Sequence, residues 1–101
     1  MNLNNIENVI YSVIEKLNKT LPKEEHLEKS LLAPIYGRNG KLDSLGLVNL
    51  ILTIEQQIED EYGLKINLAD ERAVSQKNSP FETVETLTNY IAILLDKQMN
   101  N

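Results

Sequence analysis

The stretch LDSLGLVNLILTIEQQIEDEYG, residues 42–63, carries apolar side chains at helical spacing along most of its length. Turned by ~100° per residue from Leu45, Leu47, Leu50, Ile51, Ile54 and Ile58 share an arc of roughly 140 to 240° and form a core stripe. Leu45, Val48 and Leu52 fall elsewhere, at roughly 0, 300 and 340°, and Glu55 and Glu59 continue that second face at roughly 280 and 320°. The pattern predicts one helix from about Asp43 to Tyr62, with Gly63 as its C-terminal stop. A surface helix needs one buried stripe, so the second face is either a docking surface or is covered by the chain that precedes it. Apolar near its start and acidic further along, it reads as a docking surface.

Two more segments have helical period, and nothing alternates like a strand. Ile6, Val9, Ile10, Val13, Ile14 and Leu17 repeat at spacings of three and four, with Asn4 or Asn5 as the cap and an end before Pro22. Val84, Leu87, Ile91, Leu94 and Leu95 form the third stripe. Its start is open: Ser79-Pro80-Phe81-Glu82 reads as a capping box, and Thr83 offers a later one. About 25 residues connect the first and middle helices, a length that calls for structure or a task. Leu27, Leu31, Leu32, Ile35 and Tyr36 are expected to tether this loop to the core, while Gly37 and Gly40 let it turn into Leu42-Asp43. The second connection, from Leu64 to about Asn78, includes Asp70–Val74 as a candidate short helical segment. The expected fold is all-α, a small antiparallel-type bundle of three long helices plus one or more short ones.

With 101 residues, 42% hydrophobic and 25% charged, the chain fits one domain over residues 1–101, with about 1–3 and 98–101 as frayed ends. Fifteen acidic against ten basic residues give a net charge of −5, the wrong sign for neutralising nucleic-acid phosphates. No Trp and one Phe speak against a base-stacking platform. With no Cys and one His, disulfides and a structural zinc site are excluded. The opening MNLNNIENVI has no basic n-region, and no apolar stretch approaches the ~20 residues of a membrane span, so a cytoplasmic protein is expected.

Ser44 stands where the long loop meets the middle helix. A helix start offers unsatisfied N–H groups and the positive end of the macrodipole, so a phosphate on Ser44 would be well placed. The ordinary alternative is that Asp43 or Ser44 simply caps the helix. Other candidates carry less chemistry. Glu24-Glu25-His26-Leu27-Glu28 surrounds the lone histidine with acids but lacks the paired imidazoles of a zinc helix, and reads as a solvated face. Glu59-Asp60-Glu61 points its acids apart, while Tyr11, Tyr36, Tyr62 and Tyr90 read as core-edge residues. There is no phosphate-cradling Gly-rich motif and no Ser-His-Asp set for Ser44 to complete, so an enzyme is not expected.

Taken together, Leu42-Asp43-Ser44-Leu45-Gly46-Leu47-Val48-Asn49-Leu50, then Glu55, Glu59, Asp60, Glu61 and Tyr62-Gly63, resemble the acyl carrier protein family, the phosphopantetheine-binding carrier proteins. Ile66, Thr83-Val84 and Asn89-Tyr90-Ile91 match the family's third- and fourth-helix landmarks, so the resemblance spans essentially the whole chain. It implies a non-catalytic carrier with 4′-phosphopantetheine, taken from coenzyme A by a phosphopantetheinyl transferase (holo-carrier-protein synthase), attached to Ser44. The arm's terminal thiol would hold acyl or aminoacyl groups as thioesters, supplying the sulfur that the chain lacks. Asp43 would help present the serine and contribute to recognition or metal positioning in the transferase complex. Leu45, Val48, Leu52, Glu55 and Glu59 would dock onto basic patches of a loading ligase, an acyltransferase or condensing enzymes, with charge steering the encounter. The resemblance further implies a monomer in fatty acid or lipid biosynthesis, with apolar space between the helices for the cargo's tail.

Three departures from the family pattern favour a dedicated carrier over one serving the general fatty acid synthase. Gly46 and Asn49 stand where fatty-acid carriers usually have acids. The middle helix is about one turn longer, and the loop from Asn67 to Phe81 is extended. The order Ser, hydrophobic, Gly also occurs in D-alanyl carriers, which an adenylating ligase loads with an amino acid. An unmodified helical adaptor, binding partners through Leu45, Val48 and Leu52, is the alternative from another class.

Overall fold

A computed structural model describes residues 2–37, 39–68 and 79–99. Among these residues the protein is all-helical, with α1 over Leu3–Asn18, α2 over Ser44–Tyr62, α3 over Val84–Met99 and one 3-10 turn at Lys23–Glu25. Extended pairing is confined to two isolated bridges, Pro34 with Thr83 and Tyr36 with Leu42. The segment Asp70–Val74, expected to contain a short helix, lies outside the described residues.

Each helix buries the stripe that its spacing predicts. Ile6, Val9, Ile10, Val13 and Ile14 of α1 meet Leu47, Leu50, Ile51, Ile54 and Ile58 of α2, and α1 also packs against α3. Val84, Leu87, Ile91 and Leu95 face inward from α3, with Leu94 half-buried. Phe81 and Leu68, outside the helices, are fully buried, and the Phe81 ring meets Tyr90 edge-to-face at 5.9 Å.

The helix ends follow capping chemistry, with one shift. α1 starts earlier than Asn4 or Asn5 would allow: Asn2 is the cap, its Oδ1 accepting the Asn5 N–H at 2.8 Å. Asn4 and Asn5 therefore lie inside the first turn. α2 begins and ends as expected, with Asp43 at its start and Gly63 left-handed at φ 67° after Tyr62. At α3 the open choice resolves to Thr83. Its Oγ1 accepts the Thr86 N–H at 3.2 Å while Thr86 Oγ1 accepts the Thr83 N–H at 3.0 Å, the reciprocal pair of a capping box. Ser79 instead organises a separate turn, its Oγ accepting the Phe81 N–H.

The long connection is ordered by its own hydrogen bonds. Asn18, the last residue of α1, grips the Leu27 backbone twice, accepting its N–H and donating to its C=O, both at 2.9 Å. Further on, the Ile35 N–H donates to Glu82 O at 2.7 Å, and the Val84 and Glu85 N–H groups donate to Ala33 O and Leu31 O. The loop thus supplies acceptors to first-turn amides of α3, which have none within their own helix. Leu27, Ala33 and Ile35 are buried, and Leu31 and Tyr36 pack against the core. Leu32, expected as a tether, is 77% exposed. It sits in a turn closed by Ala33 N–H to Ser30 O, between Leu31 and Ala33, which take the inward positions.

Gly40 permits the last turn before α2. A Cβ built there would lie 2.3 Å from the Tyr36 Cα, so the loop can close on Tyr36 only where no side chain intervenes. Gly37, at φ 107°, makes the accompanying reversal. Two outcomes are expected in urea titrations. Asn18→Ala strips both partners from the Leu27 backbone and lowers stability by about 1–3 kcal/mol with an unchanged m-value. Gly40→Ala forces the added Cβ against the Tyr36 backbone and costs about 1–3 kcal/mol, with NMR shift changes centred on Tyr36 rather than on α3.

Candidate functional site

The start of α2 divides two tasks between neighbouring residues. Asp43 caps the helix: its Oδ1 accepts the Gly46 N–H at 2.8 Å, and its carbonyl accepts the Leu47 N–H at 2.9 Å. Ser44 is the first helical residue and is exposed, with its hydroxyl outside the cap. Among the described residues the Ser44 Oγ meets the Tyr36 hydroxyl, at 3.3 Å. Because Asp43 satisfies the helix end, losing the Ser44 hydroxyl removes no cap. The first-turn amides of Ser44 and Leu45 have no acceptor within the helix, so the local field there favours an anion.

Beside Ser44 the second face of α2 is open. Leu45 is 70% exposed, Val48 43% and Leu52 52%. Among the described residues, the long loop pairs with the start of α3 through Leu31, Ala33, Pro34 and Ile35. Contiguous exposed apolar side chains on one helix face are a feature of binding surfaces.

The two acids further along this face are engaged within the chain. Glu55, half-buried, accepts the Leu68 N–H through Oε2 at 2.6 Å, and Glu59 pairs with Lys65 at 3.8 Å. Lys65 also offers its carbonyl to the Gln98 amide of α3. These contacts strap residues 64–68 to the helices and form an open groove of about 340 Å³ lined by Leu52, Glu55, Gln56, Glu59, Lys65 and Ile66. A smaller hollow of about 180 Å³, between α1 and α2, is lined by Val13, Lys16, Leu17, Thr20, Leu50 and Thr53.

The fold brings Asp43, Ser44, Leu45 and Val48 to one end of α2, with Leu52, Glu55 and Glu59 following along the same helix. Tyr36 joins them although it lies eight residues before Ser44. Alternation and helical period do not report such a contact; the glycines at 37 and 40, which mark a tight loop before the helix, are its one local signal. The segment Glu24–Glu28 stays apart. There the His26 Nε2 donates to Leu21 O at 2.9 Å, and the His26 carbonyl accepts from Lys41. Among the described residues no group of three or more His, Asp or Glu side chains converges as a metal site, and no helix is long and apolar enough to cross a membrane. The chain matches no family model, no curated protein and no solved structure.

Proposed function

We propose that the protein is a carrier of the phosphopantetheine-binding type, holding acyl or aminoacyl groups as thioesters on an arm attached to Ser44. The observation that carries this reading is the division of labour at the start of α2. Asp43 takes the capping role, which leaves a serine hydroxyl exposed at the positive end of a 19-residue helix. The exposed face of Leu45, Val48 and Leu52 beside it supports repeated docking with partner enzymes.

In the loading reaction the Ser44 Oγ attacks the coenzyme A phosphorus that bears the pantetheine. An Oγ–P bond forms, the pyrophosphate P–O bond breaks, and adenosine 3′,5′-bisphosphate departs. The hydroxyl proton leaves to a base on the transferase. The resulting phosphodiester would be held near the first-turn amides of α2, where a negative charge is stabilised. The carrier performs no chemistry of its own: the arm supplies the thiol, and partner enzymes load and unload it. Gly46 and Asn49, standing where fatty-acid carriers usually have acids, fit a dedicated pathway rather than a general fatty acid synthase.

The cargo is an acyl group or, on the D-alanyl pattern, an amino acid loaded by an adenylating ligase. The exposed apolar face also supports a second reading, an unmodified adaptor that binds a partner helix or groove through Leu45, Val48 and Leu52. Intact mass after incubation with coenzyme A, magnesium and several broad-specificity transferases separates the two. A carrier gains one phosphopantetheine, and Ser44→Ala gains none while keeping its stability within about 0.5 kcal/mol. An adaptor gains nothing in either form. Val48→Glu is expected to weaken partner engagement by about tenfold or more under both readings, since it puts a charge into an apolar contact.

A further inference from the structure

Ser44 is presented by more than its helix. Its Oγ lies 3.3 Å from the hydroxyl of Tyr36, and the position of that phenol is determined from several sides. The Tyr36 ring is half-buried against the core. Its backbone forms a bridge with Leu42, the residue before the α2 cap, and the adjacent Ile35 carbonyl accepts the Leu42 N–H at 3.0 Å. The Gly40 N–H closes on Gly37 O at 3.1 Å, and the missing side chain at Gly40 lets the loop lie directly on the Tyr36 backbone. A turn this constrained, aimed at one exposed hydroxyl, acts as a positioning device.

We infer that Tyr36 is a positioning residue for the modification of Ser44, an inference that rests on the carrier reading. In the unmodified protein either hydroxyl can donate, and the contact restricts Ser44 to one side-chain rotamer, so that the nucleophilic Oγ is presented to the transferase from one position. After transfer the Ser44 Oγ is an ester oxygen without a hydrogen. Tyr36 is then the donor, to that oxygen or to a non-bridging oxygen of the phosphodiester. Tyr36 takes no proton during the reaction; the proton goes to the transferase base, as above. The same hydroxyl thus orients the nucleophile before transfer and the root of the arm after it.

Tyr36→Phe tests this, because it removes one oxygen and retains the ring that packs on the core. Three readouts apply to the full chain: Ser44 Hα–Hβ couplings in the unmodified protein, transferase kinetics with coenzyme A, and the phosphorus-31 resonance of the modified protein. The expected result is a single Ser44 rotamer in the parent and averaged couplings in Tyr36→Phe. Alongside it, kcat should fall roughly threefold to tenfold with KM for coenzyme A unchanged, as for loss of one neutral hydrogen bond, and the phosphorus resonance should move. Unchanged couplings and an unchanged modification rate in Tyr36→Phe would overturn the role assigned to Tyr36 while leaving the carrier reading intact. If the parent shows one Ser44 rotamer yet no transferase modifies it, the carrier reading fails. The role of Tyr36 in modification then falls with it, although the contact itself stands.

Discussion

Ile35 joins three parts of the chain at one point. Its N–H donates to Glu82 O just before α3, its carbonyl accepts the Leu42 N–H just before α2, and its side chain is fully buried. A loop of this length must satisfy many backbone groups away from regular structure, and burying any of them unpaired would be costly. Here the loop's carbonyls go to the amides that α3 cannot satisfy itself, so one set of bonds serves both partners. The start of α2 inherits its position from the same pairing. Moving Ile35 would shift Leu42, and with it Asp43, Ser44 and the phenol of Tyr36.

What was legible in the sequence follows from local rules. The stripe of α2 and the Gly63 stop depend on residues within a few positions of one another, and both are found; the cap, open between Asp43 and Ser44, falls to Asp43. The exposed second face was legible for the same reason, since helical geometry alone separates Leu45, Val48 and Leu52 from the core stripe. Expectations that depended on where the loop runs fared less evenly. Leu31 and Leu32 are equally apolar, and the Ser30–Ala33 turn decides which points inward. Asn2, Asn4 and Asn5 are equally good caps by composition; the helix starts at the earliest. The meeting of Tyr36 with Ser44 depends on a close approach of two backbone segments at Gly40, and no periodicity encodes that.

The acids of α2 have a more complex role than their place on the helix suggests. Placed on the second face by helical turn, Glu55 and Glu59 read as charges offered to a basic partner. In the fold Glu55 holds the Leu68 backbone and Glu59 pairs with Lys65. The Glu59–Lys65 pair is exposed and contributes little to stability. Glu55 is different, because releasing it would leave the Leu68 N–H without its acceptor beside a fully buried side chain. The two carboxylates on one face are therefore unequal: Glu59 holds an exposed ion pair, and Glu55 is a structural clasp.

Gly46 explains why the charge near Ser44 stays low in this backbone. A Cβ at residue 46 would stand 3.2 Å from Leu42 Cδ2 and 3.3 Å from the Asp43 Oδ1 that caps the helix, so a side chain there must push on the capping carboxylate. An acid at 46 would add like-charge repulsion to that crowding, at the one carboxylate holding the first turn. With glycine, the cap keeps its 2.8 Å bond and Asp43 remains the single acid within the first turn and its cap. On the carrier reading, a partner approaching Ser44 meets one carboxylate, an apolar face and a tyrosine hydroxyl rather than an acidic cluster. Recognition then rests on shape and apolar contact near the serine, with charge acting further along the helix. That arrangement suits an enzyme matched to this surface better than one that finds its carriers by charge alone.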